Sequence, residues 1–433
     1  MPYKDFNEEN ALPDGSKALQ EDNKALTRGG TSRPGKKNSD GFHWKSGVDR
    51  PFLFLLLILI ALGVVMVFTA SYSFAQNKFG DSFYFSKRQL GFALGGLFGM
   101  LLISRYATEK VVKMGVFVAV GGALLANVGV LIYGVAKHGA LRWIRLGPIE
   151  FQPSEVLKFA AILFCALLST YYGDKMKTWK KGVWPFACIT VVCLVILYFQ
   201  DHLSAMIITT AIIVSMMILG GCPKVAAAIF GGTPIVALFF VVGNINKIVE
   251  WDFVKNFFAN HLTHVYKRLL VWTDPFKYMR DEATSWAGWQ PSQSIYAISS
   301  GGVWGVGLGQ SMQKHGYLPE PQNDYIFSIL CEEFGFVGAV TVILLFAALI
   351  LRGFYIARNC RSRFCQLVVY GLMIKLGLQV IFNIGVVTGT LPSTGISLPF
   401  FSYGGTSLIM TMAEMGIVLS FSRYSYTERG EES

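Results

Sequence analysis

Charged side chains are scarce in this chain. Lys, Arg, Asp and Glu make up only 15% of its 433 residues, whereas 53% of the residues are hydrophobic. Soluble globular proteins carry about 25% charged residues and a smaller apolar share. The composition therefore excludes a soluble globular fold and predicts an all-α polytopic membrane protein.

Disulfide and metal-binding patterns are also missing. The seven cysteines fall in apolar segments or in loops that are assigned to the cytoplasm below, so no disulfide framework is expected. His261 and His264 form an HxxH pair, but they have no acidic or cysteine partners nearby. A zinc site is therefore not expected.

The basic residues of the chain lie mainly in short loops between apolar segments. The formal net charge of +11 would be compatible with nucleic-acid binding in a soluble protein. Here the position of the charges in short loops is explained by orientation in a membrane. Nucleic acid is therefore excluded as a partner.

Ten segments are long and apolar enough to be considered as membrane spans, since a helix needs about 20 apolar residues to cross a bilayer. They are 51–71, 89–104, 112–135, 155–172, 183–200, 203–221, 224–243, 325–351, 364–388 and 405–422. The predicted fold has ten transmembrane helices and a large extracytoplasmic loop, residues 244–324, between helices 7 and 8. The ten helices form one membrane domain over residues 51–424.

Positive charge marks the cytoplasmic side of this domain. Basic residues cluster in the loops after the second, fourth and eighth spans, at Arg105, Lys110, Lys113, Lys175, Lys177, Lys180, Lys181, Arg352, Arg358, Arg361 and Arg363. Short loops on the opposite side, 200–202 and 389–404, contain no Lys or Arg. The positive-inside rule then places both termini in the cytoplasm.

The two ends of the chain are predicted to be cytoplasmic tails. Residues 1–50 are polar, charged and poor in aliphatic side chains, so they are expected to be a disordered tail. Residues 425–433 form a second, short tail. No signal peptide is expected, because the first apolar segment begins at Pro51 and is long enough to remain as an anchor.

The segment Gly139–Phe159, GALRWIRLGPIEFQPSEVLKF, combines cations with a helix start before the fourth span. Pro153 suits a first helical turn, which puts Glu155 near the helix start with Lys158 three residues later. Arg142, Arg145 and Lys158 would form a cationic cluster at the outer surface that could hold a phosphate or pyrophosphate. The alternative is a group that snorkels to lipid head groups.

Two segments combine glycine with a lack of charge. The sequence SSGGVWGVGLGQS, residues 299–311, has five glycines, which allow tight turns or close approach to a ligand, or make a flexible linker. Residues 382–407 have two prolines, five glycines and no charge between two apolar spans. Irregular backbone at membrane depth is tolerated where it lines a cavity, so a re-entrant loop that walls a groove is predicted.

Ionisable residues inside spans are expected to find partners. At about 1.5 Å per residue, Glu332 and Glu333 lie about 12 Å below the outer surface and Lys375 about 16 Å above the inner one. Those depths nearly coincide in a hydrocarbon core of about 30 Å. The sequence therefore predicts that Glu332 or Glu333 pairs with Lys375, for a structural role or as part of a polar pathway.

Asp324 stands directly before the eighth span, in the sequence YLPEPQNDYIF. At the boundary between water and lipid its carboxylate could act as a general base towards a hydroxyl, while nearby cations balance an anionic leaving group. Asp is also a favoured N-cap residue, so a purely structural role at the helix start is the alternative.

Taken together, these segments resemble the SEDS family (shape, elongation, division and sporulation) of FtsW/RodA/SpoVE-like bacterial proteins. The resemblance covers about residues 51–424 and is carried in order by four segments: GALRWIRLGPIEFQPSE, GWQPSQSIYAISSGGVWGVGLGQS, LPEPQNDYIFSILCEEFGFVGA and NIGVVTGTLPSTGISLPFFSYGGTS. One segment departs from the family pattern, because FQDHLSA has His202 where many members have an acidic residue. The neighbouring Asp201 could substitute for that residue. The long N-terminal tail favours the FtsW-like division branch.

The resemblance implies a peptidoglycan glycosyltransferase that polymerises lipid II on the outer face of the cytoplasmic membrane. In that interpretation Asp324 matches the catalytic carboxylate, and Glu155 and Lys158 match positions that line a central cavity. Arg142 and Arg268 are the candidates for holding pyrophosphate. No cofactor is specified, although a divalent cation that bridges pyrophosphate and carboxylate stays open.

The resemblance also implies a class B penicillin-binding protein, a transpeptidase, as the partner, together with division proteins. Two other functions fit parts of the sequence. Ten spans with intramembrane charges and an interrupted segment are typical of a transporter, which here would flip lipid II. A scaffold that only recruits the transpeptidase and division proteins is the second alternative.

Neutralising Arg352, Arg358, Arg361 and Arg363 together is expected to disturb membrane insertion or orientation, because these charges hold their loop in the cytoplasm. Labelling of single introduced cysteines from either side of the membrane measures the orientation. A variant with correct topology and an isolated loss of activity would contradict this assignment.

Overall fold

The computed structural model describes residues 48–137, 140–146, 149–233, 263–280 and 285–423, together with Asn244 and Trp251. The predicted tail 425–433 and all but the last three residues of the tail 1–50 lie outside the described residues. The same holds for 234–243 of the seventh predicted span and for most of 244–262.

Helices dominate the described residues. The longer ones are α1 (Arg50–Phe79), α2 (Tyr84–Tyr106), α3 (Glu109–Tyr133), α4 (Pro153–Tyr172), α5 (Trp184–Tyr198), α6 (Leu203–Gly220), α7 (Thr263–Thr273), α8 (Pro275–Arg280), α9 (Ser285–Gly301), α10 (Ile326–Arg358), α11 (Arg363–Val387) and α12 (Gly405–Ser422). Short helical turns occupy Gly173–Lys177, Trp179–Gly182, Lys224–Ala227 and Ala228–Gly232.

A small antiparallel sheet lies between α3 and α4. Its strands β1 (Val135–Lys137), β2 (Ala140–Leu146) and β3 (Ile149–Phe151) follow one another in the order β1-β2-β3. The hydroxyl of Thr406 donates to the carbonyl of Glu150 at 2.7 Å, which joins the sheet to the start of α12. The all-α prediction missed this sheet, although the fold is otherwise helical.

Eight of the described helical segments are long and apolar enough to cross a membrane. They are Arg50–Phe79, Glu109–Ile132, Pro153–Lys177, Trp179–Tyr198, Leu203–Gly220, Ile326–Arg358, Arg363–Val387 and Gly405–Ser422. The second predicted span corresponds to α2, which is not among these eight segments because its glycines and polar residues lower its mean hydropathy. At 23 residues and about 1.5 Å per residue, α2 is nevertheless as long as a membrane-spanning helix.

The start of α1 is fixed to the ends of two other helices. Asp49 caps α1 by accepting a hydrogen bond from the amide of Phe52 at 3.0 Å, and Pro51 occupies the first turn. The same carboxylate accepts from the guanidinium of Arg352 on α10 at 2.8 Å. The amide of Asp49 donates to the hydroxyl of Ser422 at the end of α12 at 3.1 Å.

The centre of the bundle is formed by α11 and α12. In their most apolar stretches 61% and 67% of the residues are buried inside the protein, the highest fractions among the eight segments. Helix α12 packs on α2, and α11 lies between α4, α6 and α10. Lys375, Gln379 and Asn383 of α11 are therefore buried among other helices.

Helix α10 is broken at Gly335, which has φ 66° and ψ −165°. The break frees the carbonyls of Glu332 and Glu333, which accept from the amides of Val306 and Gly307 at 2.9 and 3.0 Å. Two amides beyond the break donate back to carbonyls of the same loop, Phe336 to Gly302 (2.9 Å) and Val337 to Val303 (3.2 Å). Backbone groups at this depth are thus satisfied by protein, as an apolar environment requires.

The glycine-rich segment 299–311 supplies these partners. A Cβ atom on Gly305 would lie 2.2 Å from the carbonyl oxygen of Glu333, and one on Gly335 would lie 2.3 Å from the amide nitrogen of Gly305. Two backbones can approach this closely only without side chains. The glycines therefore serve close packing of a loop on a helix, and the alternative of a flexible linker is wrong.

Gly335→Ala is expected to lower the free energy of unfolding by about 1–3 kcal/mol or more, because the backbone conformation is accessible almost only to glycine and the Cβ would collide with the loop. The thermal midpoint in detergent measures the loss. Gly95→Ala is the control, since a Cβ there meets no atom within 4 Å on helix α2. An unchanged midpoint in Gly335→Ala would contradict the described break.

Candidate functional site

A polar cavity opens where α4, α6 and α11 meet the loop between α11 and α12. The empty space within it and in its mouth, which is open to solvent, is about 280 Å³ in total. The lining residues are Gln152, Glu155, Lys158, His202, Ser204, Ala205, Ile208, Gln379, Gly395, Ile396 and Ser397. Two of the predicted site residues, Glu155 and Lys158, lie in this wall.

Glu155 and Lys158 form an ion pair in the first turns of α4. The helix begins at Pro153, as predicted, so the two side chains lie one turn apart on the same face. Both side chains are nearly inaccessible, with 8% and 4% of their surfaces exposed. The sequence predicted Lys158 as an exposed cation in a surface cluster with Arg142 and Arg145. That prediction is wrong for Lys158, because its side chain is buried.

A second lysine holds the other oxygen of Glu155. The ammonium of Lys375 on α11 lies 3.2 Å from Oε2 of Glu155 and 2.5 Å from Oε1 of Glu414 on α12. The amide of Gln379 also donates to Oε2 of Glu155 at 3.3 Å. With Lys158 included, two cations and two anions form one buried network that is neutral when all four groups are ionised.

The predicted pairing of Lys375 with Glu332 or Glu333 is wrong. Glu333 instead pairs with Lys314 at 2.7 Å, and both of these side chains are fully buried. Glu332 accepts from the hydroxyl of Ser311 and from the amide of Met312, the latter at 2.9 Å. Depth alone does not specify a partner, and the two carboxylates of α10 face the segment that carries Ser311 and Lys314.

Asp324 lies two residues before the first residue of α10 and is half-buried. The capping position of the helix is Tyr325, whose side chain makes no capping hydrogen bond, so the alternative prediction of Asp324 as the N-cap is wrong by one residue. Asn383 on α11 donates from Nδ2 to the carbonyls of Asp324 and Ile396, both at 2.7 Å. This bond fixes the backbone of Asp324 against the loop that walls the cavity.

Gly395 connects Asp324 with the cavity. It lines the cavity wall, its φ is +69°, and a Cβ atom on it would lie 3.2 Å from Oδ2 of Asp324. The carboxylate thus lies against the backbone at the edge of the cavity. Glycine is suited to this position both by its conformation and by the space it leaves.

The uncharged loop between α11 and α12 forms much of this framework. Ser402 donates to the carbonyl of Asn323 at 2.9 Å, and the amide of Tyr403 donates to the carbonyl of Gln322 at 2.8 Å. Ser204 on α6 donates to the carbonyl of Thr394. The prediction that residues 382–407 wall a cavity agrees with these contacts, although the first six of them belong to α11.

Arg268 reaches the same loop from α7. Its guanidinium donates to the carbonyl of Ser393 at 3.2 Å, two residues from Gly395. Trp272, one helical turn later, donates from its indole nitrogen to the carbonyl of Gly389 at 2.8 Å. Arg142 lies on β2, and its side chain is outside the described residues.

His202 faces the cavity, whereas the neighbouring Asp201 is exposed and does not belong to the cavity wall. The suggestion that Asp201 could replace an acidic residue at the place of His202 is therefore not supported by its position. Among the described residues, no group of three or more His, Cys, Asp or Glu side chains is placed to hold a metal ion.

The arrangement combines one half-buried carboxylate with a polar cavity. A carboxylate that keeps contact with water can take a proton, while hydroxyl, amide and imidazole groups in the wall can bind a polar ligand. Sequence reasoning found Asp324, Glu155 and Lys158 but missed Gln379, Glu414 and the true partner of Lys375. Glu414 lies ten residues into the last apolar span, so its burial was a signal that could have been used.

Comparison with known proteins gives a consistent result. The family model described as a cell cycle protein, FtsW/RodA/SpoVE, matches residues 50–427. Stage V sporulation protein E of Bacillus subtilis (strain 168) is 34% identical over 88% of this chain and 98% of its own length. A protein of Geobacter sp. (strain M18) named "Probable peptidoglycan glycosyltransferase FtsW" is 36% identical over 87% of this chain and 97% of its own.

A solved structure shows the same fold. One chain from a peptidoglycan synthase complex, studied for the structural coordination of polymerization and crosslinking, superposes with a TM-score of 0.66. It is 25% identical in sequence, and the match covers 88% of this chain and 98% of that one.

Glu155→Gln is expected to lower the free energy of unfolding by about 3–5 kcal/mol, because it leaves two buried lysines with a single carboxylate. The thermal midpoint in detergent measures the effect. Glu109→Gln is the control, since Glu109 pairs with Lys113 at 2.6 Å but is one-third exposed, where a pair contributes about 0–1 kcal/mol. Equal midpoints for the two variants would contradict the buried network.

Proposed function

This chain belongs to the FtsW/RodA/SpoVE family of cell cycle proteins, and we propose that it is a peptidoglycan glycosyltransferase which polymerises lipid II into glycan strands during cell division or sporulation. The reaction would release undecaprenyl pyrophosphate. The observation that supports it in this chain is the half-buried carboxylate of Asp324 at the edge of a polar cavity, against Gly395.

In the proposed mechanism, Asp324 acts as the general base. Its carboxylate accepts the proton of the acceptor sugar hydroxyl, and the hydroxyl oxygen forms a bond with the anomeric carbon of the donor. The bond between that carbon and the pyrophosphate oxygen breaks, and its electron pair leaves with undecaprenyl pyrophosphate. One displacement by a base-activated hydroxyl inverts the anomeric centre, as in inverting glycosidases.

The other site residues are assigned to substrate binding. Arg268 and Arg142 are proposed to hold the pyrophosphate, because guanidinium groups bind phosphate oxygens with paired hydrogen bonds. Arg268 is supported by its contact with Ser393, in the loop that walls the cavity. Glu155 and Lys158 are proposed to contact substrate from the cavity wall.

The chain is a multi-pass membrane protein. We propose that ten helices cross the cytoplasmic membrane, with residues 244–324 as an extracytoplasmic loop between the seventh and eighth. Both termini would be cytoplasmic and the site would open to the outside. The support is the clustering of Lys and Arg at the opposite end of the bundle, in the loops after α2, after α4 and after α10.

A class B penicillin-binding protein is proposed as the partner, together with division proteins. The support is that a chain of the same fold was solved as part of a peptidoglycan synthase complex. A polymerase and a transpeptidase that act on the same strand benefit from physical association, because the second reaction then occurs at a high local concentration of its substrate.

Asp324→Asn is expected to abolish glycan-chain formation from purified lipid II in the presence of the cognate transpeptidase, because a carboxamide cannot accept the proton. Gel analysis of chain length measures the product. Asp81→Asn is the control, because it makes the same change of a carboxylate in the loop between α1 and α2, away from the cavity. Asp81 is also charged, since the amide of Phe83 and the ammonium of Lys87 hold its pKa below the ordinary value. The control is expected to leave chain formation intact.

Other outcomes point to the other functions. Equal chains from the wild type and Asp324→Asn would remove Asp324 from the chemistry. No chains from a folded wild type, with transport of lipid II across vesicle membranes, would favour a flippase. Neither activity, with retained binding to the transpeptidase, would favour a scaffold.

A further inference from the structure

Each oxygen of the Glu155 carboxylate has its own cation. Oε1 accepts from Lys158, and Oε2 lies 3.2 Å from the ammonium of Lys375. Gln379 reaches the carboxylate from the same helix as Lys375, at 3.3 Å from Oε2. A carboxylate held at both oxygens from two different helices cannot rotate without losing an ion pair, so its orientation in the cavity wall is fixed.

Lys375 and Glu414 lie behind this wall. Neither belongs to the residues that line the cavity, and only 1% and 2% of their side-chain surfaces are exposed. Glu155 needs only one cation for neutrality, and Lys158 already supplies it. Lys375 adds a second positive charge in an apolar bundle, where an uncompensated charge is costly. Glu414, at 2.5 Å, compensates that charge.

We propose that Lys375 and Glu414 are positioning residues for the cavity: Glu414 holds Lys375, Lys375 holds Oε2 of Glu155, and the fixed Glu155 keeps the ammonium of Lys158 in the wall. The inference rests on the proposed function, since it assigns how that site keeps its cation in place. It concerns two residues on α11 and α12 that do not touch the substrate.

Removal of Lys375 and Glu414 is expected to loosen Glu155 and, with it, Lys158. Without Lys375, only Gln379 holds Oε2 of Glu155, so the carboxylate can rotate and carry the ammonium of Lys158 away from its place in the wall. The ammonium of Lys158 then has no fixed position at the cavity. A group that stabilises charge as the leaving group departs loses effect when it is misplaced, and the loss appears mainly in kcat.

The competing interpretation is purely structural, because the pair also ties α11 to α12. The double variant Lys375→Met/Glu414→Met separates the two, since buried ion pairs replaced by apolar side chains of similar size often leave a fold intact. The matched control is Lys314→Met/Glu333→Met. It removes another fully buried pair, at 2.7 Å, whose residues are not among those lining the cavity.

The first measurement is steady-state polymerisation of lipid II by the full chain with its transpeptidase. The Lys375→Met/Glu414→Met variant is expected to lose kcat about tenfold or more, with KM changed less than about threefold. Lys375→Arg, which keeps the charge, is expected to recover most of that kcat. The control double variant is expected to keep kcat within about twofold at a temperature where all variants are folded.

The second measurement does not depend on activity. Acetylation of Lys158 by an amine-reactive reagent, followed by mass spectrometry, reports how firmly its ammonium is held. The Lys375→Met/Glu414→Met variant is expected to be acetylated at Lys158 several times faster than the wild type, and the control at the wild-type rate. Unchanged acetylation in the test variant would overturn the proposal whether or not the protein polymerises lipid II.

Further outcomes separate this inference from the proposed function. Suppose that the wild type is active and Asp324→Asn is inactive. Full kcat in the Lys375→Met/Glu414→Met variant then overturns only the positioning role. Equal loss of kcat in both double variants also overturns it. No chains from the wild type, or chains from Asp324→Asn, would count against the proposed function, and acetylation of Lys158 would then decide the positioning role alone.

Discussion

The ion-pair network around Glu155 is the constraint on which the rest of the site depends. Four charged groups are buried where an isolated charge would be costly, and they are tolerated because each is compensated and close to its partner. The network joins α4 to α11 and α12, which follow it much later in the sequence. Their relative positions are therefore set by charge compensation as well as by packing of apolar side chains.

The loop between α11 and α12 holds the residues before α10 without using charge. It carries no charge, and it contacts Asn323 through the hydroxyl of Ser402 and Gln322 through the backbone amide of Tyr403. Asn383 ties the loop and the residue before α10 together with a single amide group. The backbone at Asp324 is thus positioned by hydrogen bonds from uncharged groups.

The sequence alone was sufficient for the broad fold. Apolar length and loop charge predicted the helices, Pro153 predicted the start of α4, and the segment around Asp324 and the uncharged loop were both recognised as unusual. These features depend on local composition, which a single sequence contains. The resemblance to a known family added the activity.

Pairings between helices could not be predicted in the same way. The depth of Lys375 fits several carboxylates, and the choice of Glu155 and Glu414 depends on which faces of α4, α11 and α12 meet. The break at Gly335 was missed because the surrounding sequence is apolar and helix-forming throughout. Only the glycines at 301–309 hinted at it, and their partner was a distant backbone rather than a ligand.

The break divides α10 into two segments with different attachments. The part from Ile326 to Phe334 is about 13 Å long, follows Asp324, and is joined to the glycine-rich loop by two backbone hydrogen bonds. Two further backbone hydrogen bonds, from Phe336 and Val337, join the part beyond the break to the same loop. The loop bonds to both sides of the break and therefore acts as a splint, which sets the angle between the two segments where helical continuity is interrupted at Gly335. The first segment is also tied at its other end, where Asn383 holds the backbone of Asp324, so it is clamped at both ends rather than hinged.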